Sequence, residues 1–206
     1  MELMAAVKKS PSWLGRTSRW GAWCLLFVPA SIVAHELGHL TAAAALGFPD
    51  VALHFSSISH GDIAGKPSWT RGVVGLAGPL VTVIITLVAC AWIALRGGPR
   101  WAFALAISAA SRFVVGVPYT IVSIALLPGN RRLAPPEFDE HKAASALGWP
   151  GDVVLGFTAL FLLATLVWIG YRLPRGERMA AWPGLLVGTA LGWALWMGLL
   201  GRVVMP

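Results

Sequence analysis

The sequence has little charge and almost no cysteine. Charged residues fill 12% of its 206 positions, about half the ~25% usual in soluble domains, which excludes an ordinary water-soluble globule. So apolar a chain also cannot be intrinsically disordered, because disorder requires low hydrophobicity. The two cysteines, Cys24 and Cys90, lie apart inside apolar stretches, which excludes a disulfide scaffold or a paired-cysteine metal site and leaves them as small core residues.

What is present is hydrophobic residue, at 57% of the chain and a mean hydropathy of +0.71. These residues fall into runs of the roughly 20 positions that a bilayer crossing needs. The pattern predicts an all-α polytopic membrane protein with about five spans, near residues 20–47, 72–95, 101–127, 152–171 and 183–204. Only the connections 48–71 and 128–151 are long, so residues 1–206 read as a single membrane domain in the lipid bilayer. The net charge of +7 comes from basic residues that flank the apolar runs, which points to membrane anchoring and away from nucleic acid. Lys8, Lys9, Arg16 and Arg19 precede the first run as in a signal peptide. Cleavage at the small residues near Ala34 would detach that run from the motif beginning at His35, so the run is read as a retained span. Six tryptophans near span ends, Trp13, Trp20, Trp69, Trp101, Trp149 and Trp182, are expected to anchor at the interface.

Between the first two spans, Val51, Leu53 and Phe55 alternate with smaller or polar residues up to Gly61 and Asp62, predicting a short strand or hairpin over 51–60. Such backbone cannot face lipid unpaired, so helices or the membrane surface must cover it. In the last span Gly184, Gly188 and Gly192 share one helix face at spacing four, which predicts close packing against another helix.

The chemistry concentrates in His35, Glu36, Leu37, Gly38 and His39. Residues four apart on a helix lie one turn above each other, so both imidazoles can reach one metal ion with Glu36 beside them. Polar residues this costly within a span mark a functional site. A catalytic zinc takes three protein ligands and keeps one position open, so a third ligand must come from elsewhere. Position 45 is alanine, which excludes the metzincin spacing, and leaves His54, His60, Asp62, Glu137, Asp139, Glu140, His141 and Asp152. Asp139 is favoured because Pro135 and Pro136 predict a helix starting just before it and ending at Gly148. Glu140 and His141 remain alternatives.

These features resemble the site-2 protease family of intramembrane zinc metalloproteases, in a compact bacterial-type form. The resemblance covers roughly residues 20–150 and rests on the His35 to His39 motif, on Gly75, Gly78 and Pro79 in the next span, and on an aspartate after a proline-containing loop, with Asn130, Pro136 and Asp139 following the family's pattern. Two positions depart from it: Glu140 follows the aspartate where glycine is usual, and Thr82 stands where asparagine often follows Gly-Pro. The resemblance implies that Asp139 completes a Zn2+ site, that the substrate is a membrane-protein segment, and that the protein resides in the bacterial plasma membrane. It also implies that the strand over 51–60, with Val51, Leu53 and Phe55, pairs with an unwound substrate chain.

Zinc chemistry would activate water as the nucleophile, with Glu36 as general base. In the third span Ser108, Ser111, Arg112, Tyr119 and Ser123 recur every three or four positions apart from one gap, which predicts a polar stripe turned towards the metal. Arg112 would then orient a ligand carboxylate or stabilise an oxyanion. A metal-binding or transport protein, and an inactive homologue that binds membrane helices, are the competing readings. Neither requires a general base. Orientation stays open: nine basic residues (Lys8, Lys9, Arg16, Arg19, Arg96, Arg100, Arg172, Arg175 and Arg178) share the N-terminal side against six on the other, whereas the resemblance implies the reverse arrangement. The sequence leaves the oligomeric state open as well.

Overall fold

The computed structural model describes residues 12–61, 65–126 and 138–205. Lys8, Lys9, Asp62, Asn130, Pro135, Pro136 and Glu137 lie outside them. Five helical segments are long and apolar enough to cross a membrane: Trp13–Ala45, Ser68–Arg96, Arg100–Leu126, Gly151–Arg172 and Arg178–Val204. The protein is an all-α, multi-pass membrane protein with one two-stranded sheet.

Helix α1 (Trp13–Ala45) begins before the expected span because Ser12 caps it, its Oγ accepting from the Gly15 N–H at 3.2 Å. The chain leaves α1 at Gly47, whose φ of +69° suits glycine. Phe48 then folds back against Ala43 and Val74. Strands β1 (Ala52–Leu53) and β2 (Ile58–Ser59) form an antiparallel hairpin, with Leu53 opposite Ile58. Trp196 pins the hairpin by donating its indole N–H to the Phe55 carbonyl at 2.8 Å. Val51 and Phe55 flank the strand instead of lying in it, with Phe55 packed beside Val28, Ile32 and Trp196.

Helix α2 (Ser68–Arg96) runs back along α1, and the third span follows in three pieces: α3 (Arg100–Ala110), a 3₁₀ segment (Ser111–Val115) and α4 (Gly116–Leu126). A short helix α5 (Asp139–Ala146) leads into α6 (Gly151–Arg172). Helix α7 (Arg178–Leu195) continues through a π turn (Trp196–Leu200) into α8 (Gly201–Val204). Five successive crossings put the starts of α1, α3 and α7 at one end of the bundle with the last turns of α2 and α6. The hairpin and α5 lie at the other end.

Helix α1 is the centre, packed against α7, α2 and α3. The glycine face of α7 does what its spacing predicts: a Cβ on Gly188 would lie 2.6 Å from the Gly21 Cα, and one on Gly192 would lie 2.9 Å from the Val28 side chain. A core of Trp20, Cys24, Ile93, Phe103, Ile169 and Leu185 fills the end opposite the hairpin. Trp20 is therefore not an interfacial anchor. It is 2% exposed and donates its indole N–H to Glu177 at 2.8 Å. Trp13, Trp69 and Trp149 do stay exposed near span ends.

Candidate metal centre

On α1, His35 and His39 stand one turn apart and are 1% and 5% exposed. Each imidazole is held from α2, at two positions eight residues apart on one face. The His39 Nδ1–H donates to the Val74 carbonyl at 2.6 Å, and His35 Nδ1 lies 2.8 Å from the Thr82 hydroxyl. Using Nδ1 this way turns both Nε2 atoms towards each other, 3.0 Å apart. Between Val74 and Thr82, Gly78 leaves the space they need: a Cβ there would collide with His39 Nε2 and lie 2.6 Å from His35 Nε2.

The third group arrives on α5. Asp139 Oδ2 lies 3.3 Å from His35 Nε2 and 3.4 Å from His39 Nε2. Gly75 admits this helix, since a Cβ there would lie 2.8 Å from the Ala143 Cβ. The Asp139 side chain is 43% exposed. Its neighbour Glu140 is buried, and burial pushes its carboxyl up.

The three groups suit one cation. With Nδ1–H of His39 given to a carbonyl, its Nε2 presents a lone pair, and the Thr82 hydroxyl can accept from His35 in the same way. Two nitrogen lone pairs and a carboxylate oxygen then face one point, a repulsive arrangement unless a positive charge sits between them. Their separations of 3.0, 3.3 and 3.4 Å compare with a tetrahedral edge of about 3.3 Å for metal bonds of ~2.0–2.1 Å. All three ligand atoms lie within 4.8 Å of one another, so His35, His39 and Asp139 can hold a metal ion.

Glu36 is 2% exposed, and its Oε1 accepts from an Arg112 terminal nitrogen at 2.8 Å. The same nitrogen is 3.7 Å from Asp139 Oδ2. The expected single stripe along the third span divides at the 3₁₀ segment, which changes the helical phase. Arg112 turns to the centre, and Ser111 accepts from the Trp193 indole at 2.9 Å. Tyr119, beyond the break, reaches Asp152 at 3.3 Å instead.

Two cavities meet at Asp139. One, of about 380 Å³, is lined by Arg112, Val114, Val115, Phe138 and Trp193. The other, of about 480 Å³, is bordered by Glu36, His39 and the hairpin residues Ser56, Ser57 and Ile58. The hairpin thus approaches Glu36 through Ser56 to Ile58. Val51 packs near Phe48, and Leu53 and Phe55 are not part of that cavity's wall.

Of the remaining described candidates, His141 is 3.5 Å from Asp152 and His54 contacts Ser59, while His60 tilts against Phe48 on the wall of the larger cavity, outside the converging group. Glu140 is not in the converging group. Val74 and Trp193 were not singled out by sequence, and Thr82 stood out only as a departure from the family pattern. Thr82 and Val74 had a legible signal, since both are spaced four from Gly78 on the helix that faces the histidines.

Comparison with family models, with curated proteins and with solved structures gives no match.

Proposed function

We propose that this protein is an intramembrane zinc metalloprotease that hydrolyses peptide bonds in or beside the transmembrane segments of other membrane proteins. The observation that carries the reading is the placement of Glu36. It adjoins three converging metal-type ligands and borders the same cavity as His39 and the hairpin. Two imidazoles and one carboxylate are the donor set of a catalytic zinc site, three protein ligands with a fourth position open. The resemblance to site-2 proteases agrees with this reading, as does the site's position within an apolar bundle. The proposed location is a plasma membrane of bacterial type.

Bound zinc would polarise the scissile carbonyl and lower the pKa of a water molecule. Glu36 then takes the water's proton on a carboxylate oxygen and returns it to the departing amine nitrogen. Arg112 holds Glu36 at 2.8 Å in the resting site and must share or yield that oxygen when water enters. Its guanidinium would then be free to stabilise negative charge developing on the carbonyl oxygen. Val74 and Thr82 fix the imidazoles, and Gly78 keeps the space between them open. The hairpin edge at Ser57 and Ile58 is suited to hold an unwound peptide by strand addition, because a helical substrate hides its carbonyls in hydrogen bonds.

The test is cleavage of a transmembrane substrate by purified wild type and by Glu36→Gln, with zinc content measured in both. Glu36→Gln is expected to keep the metal and lose hydrolysis. Full cleavage by the variant would refute the protease reading. Zinc transport or helix binding that persists in a chain with no hydrolytic activity would favour the competing readings, since neither uses a base.

A further inference from the structure

At the end of the bundle away from the metal centre, a cavity of about 380 Å³ opens between the last turns of α2 and α6 and the start of α7. Three arginines line it: Arg172, Arg175 and Arg178. Two of them are fixed in place. Arg172 donates to the Ala94 carbonyl at 3.2 Å, and Arg178 donates through Nε to Leu173 at 3.0 Å and through a terminal nitrogen to Tyr171 at 2.8 Å. These carbonyls belong to the unsatisfied last turns of α2 and α6 or directly follow them, so the arginines both cap helix ends and cancel the partial negative charge that would repel an anion.

What the cluster lacks is a counter-ion. Among the described residues, no carboxylate forms a salt bridge with Arg172, Arg175 or Arg178. Glu177 is the one acidic residue of the described segments at this end, and its two oxygens are occupied by Arg100, at 3.0 Å, and the Trp20 indole. A guanidinium carries five N–H groups, so after capping Arg172 and Arg178 each retain several, and among the described residues no backbone carbonyl accepts a hydrogen bond from Arg175. Beside the cavity the surface turns apolar: Leu95, Val167 and Tyr171 are among the most exposed hydrophobic residues of the protein, at 82%, 74% and 79%.

We propose that this cavity binds a phosphate group, as a phosphodiester in the headgroup of an anionic lipid or as free phosphate. Planar guanidinium groups match phosphate oxygens geometrically, and basic pockets between membrane helices at the interface bind anionic headgroups. The exposed apolar stretch over Leu95 and Val167 would accept the acyl chains. The proposal is independent of the metal centre, and its test needs no enzymatic activity.

The full-length protein is placed in phosphatidylcholine nanodiscs, in nanodiscs that also contain phosphatidylglycerol, and in phosphatidylcholine with added inorganic phosphate. Thermal melting and the lipids retained in native mass spectrometry are read in each. Phosphatidylglycerol is expected to raise the melting temperature and to be retained in preference to phosphatidylcholine. If inorganic phosphate reproduces or displaces that effect, the site takes the free anion as well; if it does not, the source is the lipid. Arg175→Gln leaves both helix caps intact, so it should melt like wild type in phosphatidylcholine while losing about fivefold in affinity for phosphatidylglycerol or phosphate. Arg202→Gln, at the opposite end, should leave both unchanged. Indistinguishable behaviour of the two lipids with no response to phosphate would overturn the proposal. So would unaltered phosphatidylglycerol retention in Arg175→Gln.

Discussion

At Glu36 a carboxylate sits in the apolar part of a span, and its cost is met by one partner. The ion pair with Arg112 at 2.8 Å is shielded on both sides, with side chains 3% and 17% exposed. Removing one member strands the other, so Arg112→Gln should lower stability by about 2 kcal/mol, the scale of a hydrogen bond to a charged group. The double variant Glu36→Gln with Arg112→Gln should cost less than the two single losses added, measured as a double-mutant cycle by denaturant unfolding in detergent. Strict additivity would mean that the pair carries no coupling. The histidines are subject to a harsher rule. His35→Ala and His39→Ala each leave two protein ligands, and each variant should lose most of its zinc on purification. Stoichiometric metal in either one would remove that residue from the site.

At the scale of elements, the centre is an agreement among three helices. Helix α1 supplies the imidazoles, α2 orients them through Val74 and Thr82, and α5 brings Asp139 across the gap that Gly75 leaves open. Asp139→Ala should therefore weaken zinc binding by at least ~10–100-fold, the range for losing even a supporting partner. His141→Ala should change it far less, because His141 faces Asp152. Zinc titrations of both variants at one pH decide this, and metal lost with His141 but kept without Asp139 would reassign the ligand. Gly78→Ala is a sharper probe, since the added methyl enters the space between the two Nε2 atoms. It should abolish metal binding while the helices, read by circular dichroism, remain.

Much of this arrangement was legible in sequence because it follows local periodicity: His35 and His39 at spacing four, the glycine face of α7, and five apolar runs of bilayer length. What was not legible depends on tertiary contact. Trp20 stands near a span end like an anchor, but its environment is set by Glu177, 157 residues away. The third span looks continuous, yet Ser111–Val115 tightens into a 3₁₀ segment that points Arg112 inward and Tyr119 elsewhere. The sequence favours Asp139 but leaves Glu140 and His141 open, because deciding among them requires knowing how α5 is rotated against α2.

For the molecule as a whole, the two ends of the bundle differ in chemistry. One gathers arginines at the close of α2 and α6 with a single described carboxylate. The other holds the hairpin, α5 and the cavities that reach Glu36 and Asp139. The central claim is that side chains from two distant segments hold one metal ion beside Glu36. X-ray absorption at the zinc edge of the purified, zinc-loaded protein tests it most directly. The account predicts a four-coordinate shell with two imidazole nitrogens, oxygen in the remaining positions, and bonds of ~2.0–2.2 Å, with the nitrogen contribution collapsing in His39→Ala. A sulfur-containing shell, which would place the metal at Cys24 or Cys90, or a shell of oxygen atoms without imidazole, would contradict it.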